Sequence, residues 1–122
     1  MGNESPMASV CGEIDSGAEF YDYEAKYITD TSVAYIPARI SQETEEKVRN
    51  YAVRAYNALG CRGLSRVDFF VTYADNSVIL NEVNTLPGFT SISMYPKLFA
   101  ASGIPYRELI DSLIRLAMEA HK

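Results

Sequence analysis

Four polar side chains in the middle of the chain have types and spacing suited to chemistry: Arg66 and Asp68 on one strand-like run, Glu82 and Asn84 on the next. The runs, Leu64 to Tyr73 and Ser77 to Val83, are rich in β-branched and aromatic residues. Ala74-Asp75-Asn76 separates them, which predicts a hairpin. A turn about Asp75 puts Asp68 opposite Glu82, Arg66 opposite Asn84 and Phe70 opposite Leu80. Opposed residues in an antiparallel ladder share a face, and so do alternate residues along each strand. One face then carries Phe70 and Leu80 near the turn, Asp68 with Glu82 next, and Arg66 with Asn84 at the open end. Val67, Phe69, Val71, Ile79 and Val83 make the opposite, packing face, interrupted by Asn81.

Two carboxylates facing each other across a strand pair repel unless a cation or a proton lies between them. Asp, Glu and an Asn carbonyl together are hard oxygen donors, the set that suits Mg²⁺ or Mn²⁺. Mg²⁺ usually takes one or two protein carboxylates and completes its shell with water and phosphate oxygens. The functional reading is a phosphate-bridging metal site, with Arg66 beside it to stabilise developing negative charge. The bland reading is a solvated polar face on which Arg66 neutralises its neighbours. Spacing alone weighs the two equally, because a slip of one residue in register would break the pattern.

The stretch Asn84 to Ser93 contains Thr85, Pro87, Gly88, Thr90, Ser91 and Ser93 and follows directly on the second strand. Gly88 lets backbone N–H groups approach an anion closely. Taken alone, the same residues also suit an ordinary surface loop. Glu19 to Ser32 is polar and tyrosine-rich and lacks a sustained period of either 2 or 3.6. Long irregular stretches of this kind are often lids or binding loops. Singly, Tyr21, Tyr23 and Tyr27 read as packing residues and Lys26 as a solvated charge.

These residues need elements to position them. Ser41 is an N-cap, Glu43, Glu45 and Glu46 crowd the positive end of the helix it opens, and Gly60 closes that helix. Within it Val48, Tyr51, Ala52, Ala55, Tyr56 and Leu59 form one apolar face. A last helix is expected from Pro105, a favoured first helical position, burying Leu109, Leu113, Leu116 and Ala117. A short helix is expected over Tyr95 to Ala101, and further strands over Met7 to Ile14 and Val33 to Ala38. Helices and strands interleave irregularly around a central hairpin, which predicts an α+β fold: an antiparallel sheet packed against helices.

The 122 residues suit one domain, and their 48% apolar and 22% charged fractions exclude wholesale disorder. With a net charge of -5 and eleven scattered Lys and Arg there is no footprint for nucleic acid or an anionic membrane. No apolar run is long enough for a membrane span, and the first residues lack the basic and apolar segments of a signal peptide. Cys11 and Cys61 lie far apart and the lone His121 is near the end, so free thiols in a cytoplasmic protein are expected rather than a zinc site.

The run Gly60-Cys61-Arg62-Gly63-Leu64-Ser65-Arg66-Val67-Asp68-Phe69-Phe70 resembles one found in D-alanine–D-alanine ligases. So does Asn81-Glu82-Val83-Asn84-Thr85-Leu86-Pro87-Gly88-Phe89-Thr90, followed by Ser91-Ile92-Ser93-Met94-Tyr95-Pro96. Glu19-Phe20-Tyr21-Asp22-Tyr23-Glu24-Ala25-Lys26-Tyr27 resembles the family's mobile loop, placed here at about 19–32. The resemblance runs over nearly the whole chain in the family's order. It implies the C-terminal lobe of an ATP-grasp ligase, which joins two D-alanines for peptidoglycan through a D-alanyl phosphate. Asp68, Glu82 and Asn84 would hold two Mg²⁺ (or Mn²⁺) bridging the ATP phosphates. Arg66 and the Gly88 N–H would stabilise the oxyanion of the tetrahedral species. Lys26 would contact the γ-phosphate, Tyr27 would line the second-substrate pocket, and Ser93 with Met94 would hold that substrate's carboxylate.

Lys26-Tyr27 resembles the pair in dipeptide-forming ligases rather than in relatives that make D-alanyl-D-lactate, whereas Glu13-Ile14-Asp15-Ser16-Gly17 resembles D-alanine–D-serine ligases of glycopeptide resistance. D-Serine is therefore the alternative second substrate. The resemblance also implies that the family's N-terminal domain and central lobe lie outside these residues, with Gly2 to Pro6 matching an interior connection behind an added Met. The 122 residues alone would then not ligate. Surface normally covered by those lobes could support a homodimer. A non-catalytic remnant that binds metal or a partner is the alternative of another class. It gives no physical reason for Arg66, Asp68, Glu82, Asn84 and Lys26 to be kept together.

Overall fold

The computed structural model describes residues 1–15 and 33–121. Lys26, Tyr27 and the expected 19–32 loop lie outside the described residues. The described elements are β1 (Glu13–Asp15), β2 (Val33–Tyr35), α1 (Gln42–Ala58), β3 (Arg66–Val71), β4 (Val78–Asn84), α2 (Met94–Ala101) and α3 (Tyr106–Ala120). The expected α+β class holds, with the antiparallel pairing divided between two ribbons, β1–β2 and β3–β4.

The β1–β2 ladder pairs Glu13 with Tyr35 and Asp15 with Val33, closing the two ends of the 16–32 stretch. Both strands are shorter than expected, and the reason is where their backbone groups go. The Val10 N–H donates to Ser102 Oγ at 2.9 Å, the Cys11 N–H to Glu45 Oε1 at 3.3 Å, and the Ala8 carbonyl accepts from Arg49 Nη2 at 2.8 Å. The Val10 and Cys11 N–H groups and the Ala8 carbonyl thus bond to side chains of α1 and of the α2 C-cap instead of a partner strand. On the other side Pro37 has no N–H to extend a ladder, and the Ala38 N–H donates to the Cys11 carbonyl at 2.8 Å. Arg39 grips the Glu13 carboxylate through Nη2 at 2.7 Å and holds its pKa below the usual carboxylate range.

Helix α1 begins as its sequence dictates: Ser41 Oγ accepts from the Thr44 N–H at 3.2 Å, with Glu43 and Glu45 in the first turn. It ends in a Schellman arrangement. The Gly60 N–H donates to the Asn57 carbonyl at 3.1 Å and the Cys61 N–H to the Tyr56 carbonyl at 3.0 Å. Gly60 adopts φ 68°, which a side chain would disfavour. The buried face differs from the expected one. Thr44, Val48 and Tyr56 are buried, whereas Leu59, the C-cap, is exposed because the helical face ends before it.

Helix α1 packs against β4, and α2 packs against α3. Between α2 and α3 sits the core: Tyr95, Phe99 and the fully buried Leu109, with Met1, Leu64, Phe89, Ile104 and Leu113 packed around it. Pro105 is the N-cap of α3 rather than its first helical residue, with extended backbone. Of the expected α3 face Leu113 and Leu116 are half-buried and Ala117 is exposed. The Tyr95 phenol is buried without a protein partner among the described residues, and burial pushes its pKa up. A buried hydroxyl without a partner contributes nothing to offset its desolvation. Tyr95→Phe is therefore expected to leave stability unchanged or raise it by up to about 1 kcal/mol in urea titration.

The hairpin turn is tied by Asp75. Its Oδ1 accepts from Thr72 Oγ1 at 2.6 Å, Ser77 Oγ at 2.7 Å and the Ser77 N–H at 3.1 Å. These bonds favour the ionised carboxyl and bring its pKa down to about 2. Since the folded value lies below the unfolded one, the turn's support from Asp75 is complete above about pH 4 and is lost as pH falls through about 2. An NMR titration of the Asp75 carboxyl carbon should find its midpoint well below that of an ordinary Asp.

Candidate functional site

Strands β3 and β4 place the four central polar residues as the sequence predicts. Arg66 pairs with Asn84, Val67 with Val83 and Asp68 with Glu82. Beyond Asp68 the register shifts: Phe69 pairs with Leu80, Phe70 with Ile79 and Val71 with Val78. The expected Phe70–Leu80 pair is therefore corrected, and Leu80 and Ile79 exchange faces. The physical cause is a β-bulge that leaves Asn81 without an opposite residue. The turn spans Thr72 to Ser77 instead of centring on Asp75, with the Asn76 N–H donating to the Thr72 carbonyl at 3.0 Å. A bulge bends its strand and re-aims the neighbouring side chains. Here it lies immediately beside Glu82.

On the polar face Arg66 binds Asp68 bidentately, Nε to Oδ1 at 2.9 Å and Nη2 to Oδ2 at 3.0 Å. Its Nη2 also lies 3.7 Å from Glu82 Oε1. One guanidinium thus sits between the two cross-strand carboxylates and relieves their repulsion. All three remain open to solvent, with the side chains of Arg66 and Asp68 29% and 30% exposed and that of Glu82 41%. Asn84 Oδ1 accepts from the Leu86 N–H at 3.0 Å, which fixes the start of the following loop. Among the described residues no three His, Cys, Asp or Glu side chains converge. The donor set on this face is instead two carboxylates and one amide. It fits a hard divalent ion, which takes one or two protein carboxylates and keeps coordination positions for phosphate and water.

The loop after β4 is folded back on itself. The Thr90 N–H donates to Ser93 Oγ at 3.0 Å, Thr90 Oγ1 lies 2.9 Å from the same oxygen, and the Ser93 N–H donates to the Thr90 carbonyl at 3.0 Å. A Cβ on Gly88 would approach Ser93 Oγ to 3.3 Å, so a glycine keeps this approach clear. Ser93 is the N-cap of α2, yet its hydroxyl makes no capping bond. The opening amides of α2 therefore have no side-chain cap and suit a carboxylate. Met94 offers its backbone there, since its Cε lies 2.5 Å from where a Cβ on Gly12 would stand. No signal in the sequence marks Gly12 as the point where the chain crosses α2.

Thus Arg66, Asp68, Glu82 and Asn84 form one cluster on the hairpin, and Gly88, Ser93 and Met94 lie along the loop that leaves it. Lys26 and Tyr27 lie outside the described residues. Cys11 and Cys61 are free, and burial together with Glu45 pushes the Cys11 thiol up to about 11, leaving it protonated at neutral pH.

The family model described as "D-ala D-ala ligase C-terminus" matches residues 1–115. A relative named D-alanine–D-alanine ligase, from Chlorobium luteolum, is 60% identical over 119 residues, covering 98% of this chain and 33% of the relative. The solved structure of the VanG D-Ala:D-Ser ligase from Enterococcus faecalis has 42% identity and a TM-score of 0.82, covering 94% of this chain and 33% of that one. A D-alanine–D-alanine ligase from Bacillus anthracis solved in complex with ATP has 35% identity and a TM-score of 0.74, covering 92% of this chain and 36% of that one. The chain spans about a third of the length of the curated relatives it matches. With the hairpin, the loop and α2 in the arrangement described, the chain belongs to the D-alanine–D-alanine ligase family and corresponds to its C-terminal part.

Proposed function

We propose that this chain supplies the metal–nucleotide and second-substrate lobe of a D-alanine–D-alanine ligase, an ATP-dependent carbon–nitrogen ligase acting in cytoplasmic peptidoglycan synthesis. The observation that carries the reading is the grouping of Arg66, Asp68, Glu82 and Asn84 on one hairpin face in a chain of this family. In the reaction, ATP phosphorylates the carboxylate of the first D-alanine, and the amine of the second attacks the acyl phosphate. Asp68, Glu82 and Asn84 would hold Mg²⁺ or Mn²⁺, two ions by the family's pattern, and the metal charge would neutralise that of the phosphates. In this reading Arg66 and the Gly88 N–H receive the oxyanion of the tetrahedral species. The opening amides of α2 at Ser93 and Met94 receive the second substrate's carboxylate. Lys26 contacts the γ-phosphate and Tyr27 lines the second pocket.

The test is a graft in which this chain replaces the matching third of the Chlorobium luteolum ligase. D-Alanine-dependent phosphate release by the graft, and none by the 122-residue polypeptide alone, supports the reading. An inactive graft beside an active parent overturns it. Release by the polypeptide alone would overturn the proposal that one lobe is insufficient. Association would cover the half-exposed Phe70 and Ile79, which share one face of the hairpin, whether by the other lobes or by a second copy. D-Serine is the second reading, supported by the likeness to the VanG enzyme. The two amino acids differ by one hydroxyl, which a pocket separates strongly only by pairing with it. The ratio of kcat/KM for D-serine and D-alanine in the graft decides between them.

A further inference from the structure

The loop that carries Gly88 is held to the protein core by an aromatic side chain with no place in the chemistry above. The Phe89 ring stands 5.7 Å from that of Tyr95 on α2 and 5.6 Å from that of Tyr106 on α3, both tilted. Tyr95 in turn packs on Phe99 at 5.1 Å. The Tyr106 hydroxyl reaches the Phe89 carbonyl at 3.4 Å, a long bond beside the ring contact. Phe89 therefore links the loop to both helices at once. Its backbone neighbours are Gly88 on one side and Thr90 on the other, and Thr90 is bonded three ways to Ser93, the first residue before α2. Moving the Phe89 ring would move the Gly88 amide relative to the start of α2.

We propose that Phe89 and Tyr106 are positioning residues that fix the separation between the Gly88 N–H and the Ser93–Met94 end of α2. This rests on the reading of those two places as the oxyanion and carboxylate sites. An oxyanion donor acts only where the charge develops, and a displacement of about 1 Å can cost roughly a hundredfold in rate. Phe89 and Tyr106 act by holding the two polar places at one spacing from behind.

The test has two arms. In the 122-residue chain, Phe89→Ala should speed amide exchange at Thr90 and Ser93 by about tenfold or more, while amides in the middle of α3 keep their protection. In the grafted ligase the same change should lower kcat by roughly ten- to a hundredfold with the KM for ATP moved about twofold or less. Phe89→Tyr keeps the ring and should restore both. Tyr106→Ala should behave like Phe89→Ala, and Tyr106→Phe like the unaltered chain, because the ring contact outweighs the long hydroxyl bond. Unchanged exchange at Thr90 and Ser93 in Phe89→Ala would overturn the proposal. So would a loss of protection spread evenly over α2 and α3 that Phe89→Tyr fails to repair. If the unaltered graft is inactive the functional reading fails, and the exchange arm still decides whether Phe89 positions the loop.

Discussion

Asp68→Asn in the grafted ligase is expected to lower D-alanine-dependent phosphate release by roughly a thousandfold while leaving the fold intact. The rate effect follows from charge. A metal ion at developing phosphate charge contributes several kcal/mol, and about 4 kcal/mol is a factor of roughly a thousand. Asparagine keeps the size and one carbonyl oxygen but removes the negative charge that holds a hard cation. The stability effect is small for a different reason. Asp68 is 30% exposed and its partner Arg66 29%, so their ion pair is screened and contributes on the order of 1 kcal/mol or less. Urea titration of the chain with Asp68→Asn should thus show a midpoint close to that of the original. A large loss of stability with modest loss of rate would identify the Arg66–Asp68 pair as structural and the polar face as merely solvated.

Leu109→Ala is expected to have the largest effect on stability. Leu109 is 0% exposed and is packed among Tyr95, Phe99, Ile104 and Leu113. The cost of such a truncation is about 2–5 kcal/mol and depends on how far the surroundings collapse into the space. Aromatic rings on α2 are stiff neighbours, which points to the upper part of that range. Against a total stability of about 5–15 kcal/mol this is a large share, and it lowers the melting midpoint by roughly 10–20 °C at about 4 °C per kcal/mol. Leu59→Ala provides the contrast. The periodic pattern of α1 assigns Leu59 to the buried face, but at 65% exposure its truncation should cost no more than about 0.5 kcal/mol. Calorimetry on the two variants separates a core leucine from one that only shares its spacing.

The polar cluster was legible because strand alternation and a single turn place Asp68 opposite Glu82 with no further information. The agreement ends at Asn81. A bulge needs no special residue type, so the sequence could not signal that Phe70 faces Ile79 rather than Leu80. Helix α1 was legible at both ends because Ser41 and Gly60 act locally, through one hydroxyl and one left-handed backbone angle. Its buried face was less so, since burial is set by what packs on the helix and not by its own period. Met7 to Ile14 read as strand, but the backbone groups of Ala8 and Val10 are taken by Arg49 and Ser102, side chains far along the chain. The crossing of Gly12 over Met94 and Leu98 and the ring contacts of Phe89 are likewise long-range, and nothing local announces them.

The most direct test of the central claim is paramagnetic broadening of amide signals by Mn²⁺, with and without ATP, in the 122-residue chain and in Asp68→Ala. Broadening centred on Asp68, Glu82 and Asn84, lost in the variant, is the predicted result. Broadening spread over the acidic residues of α1 and α3, unchanged by Asp68→Ala, would contradict the assignment of this hairpin face as the metal site.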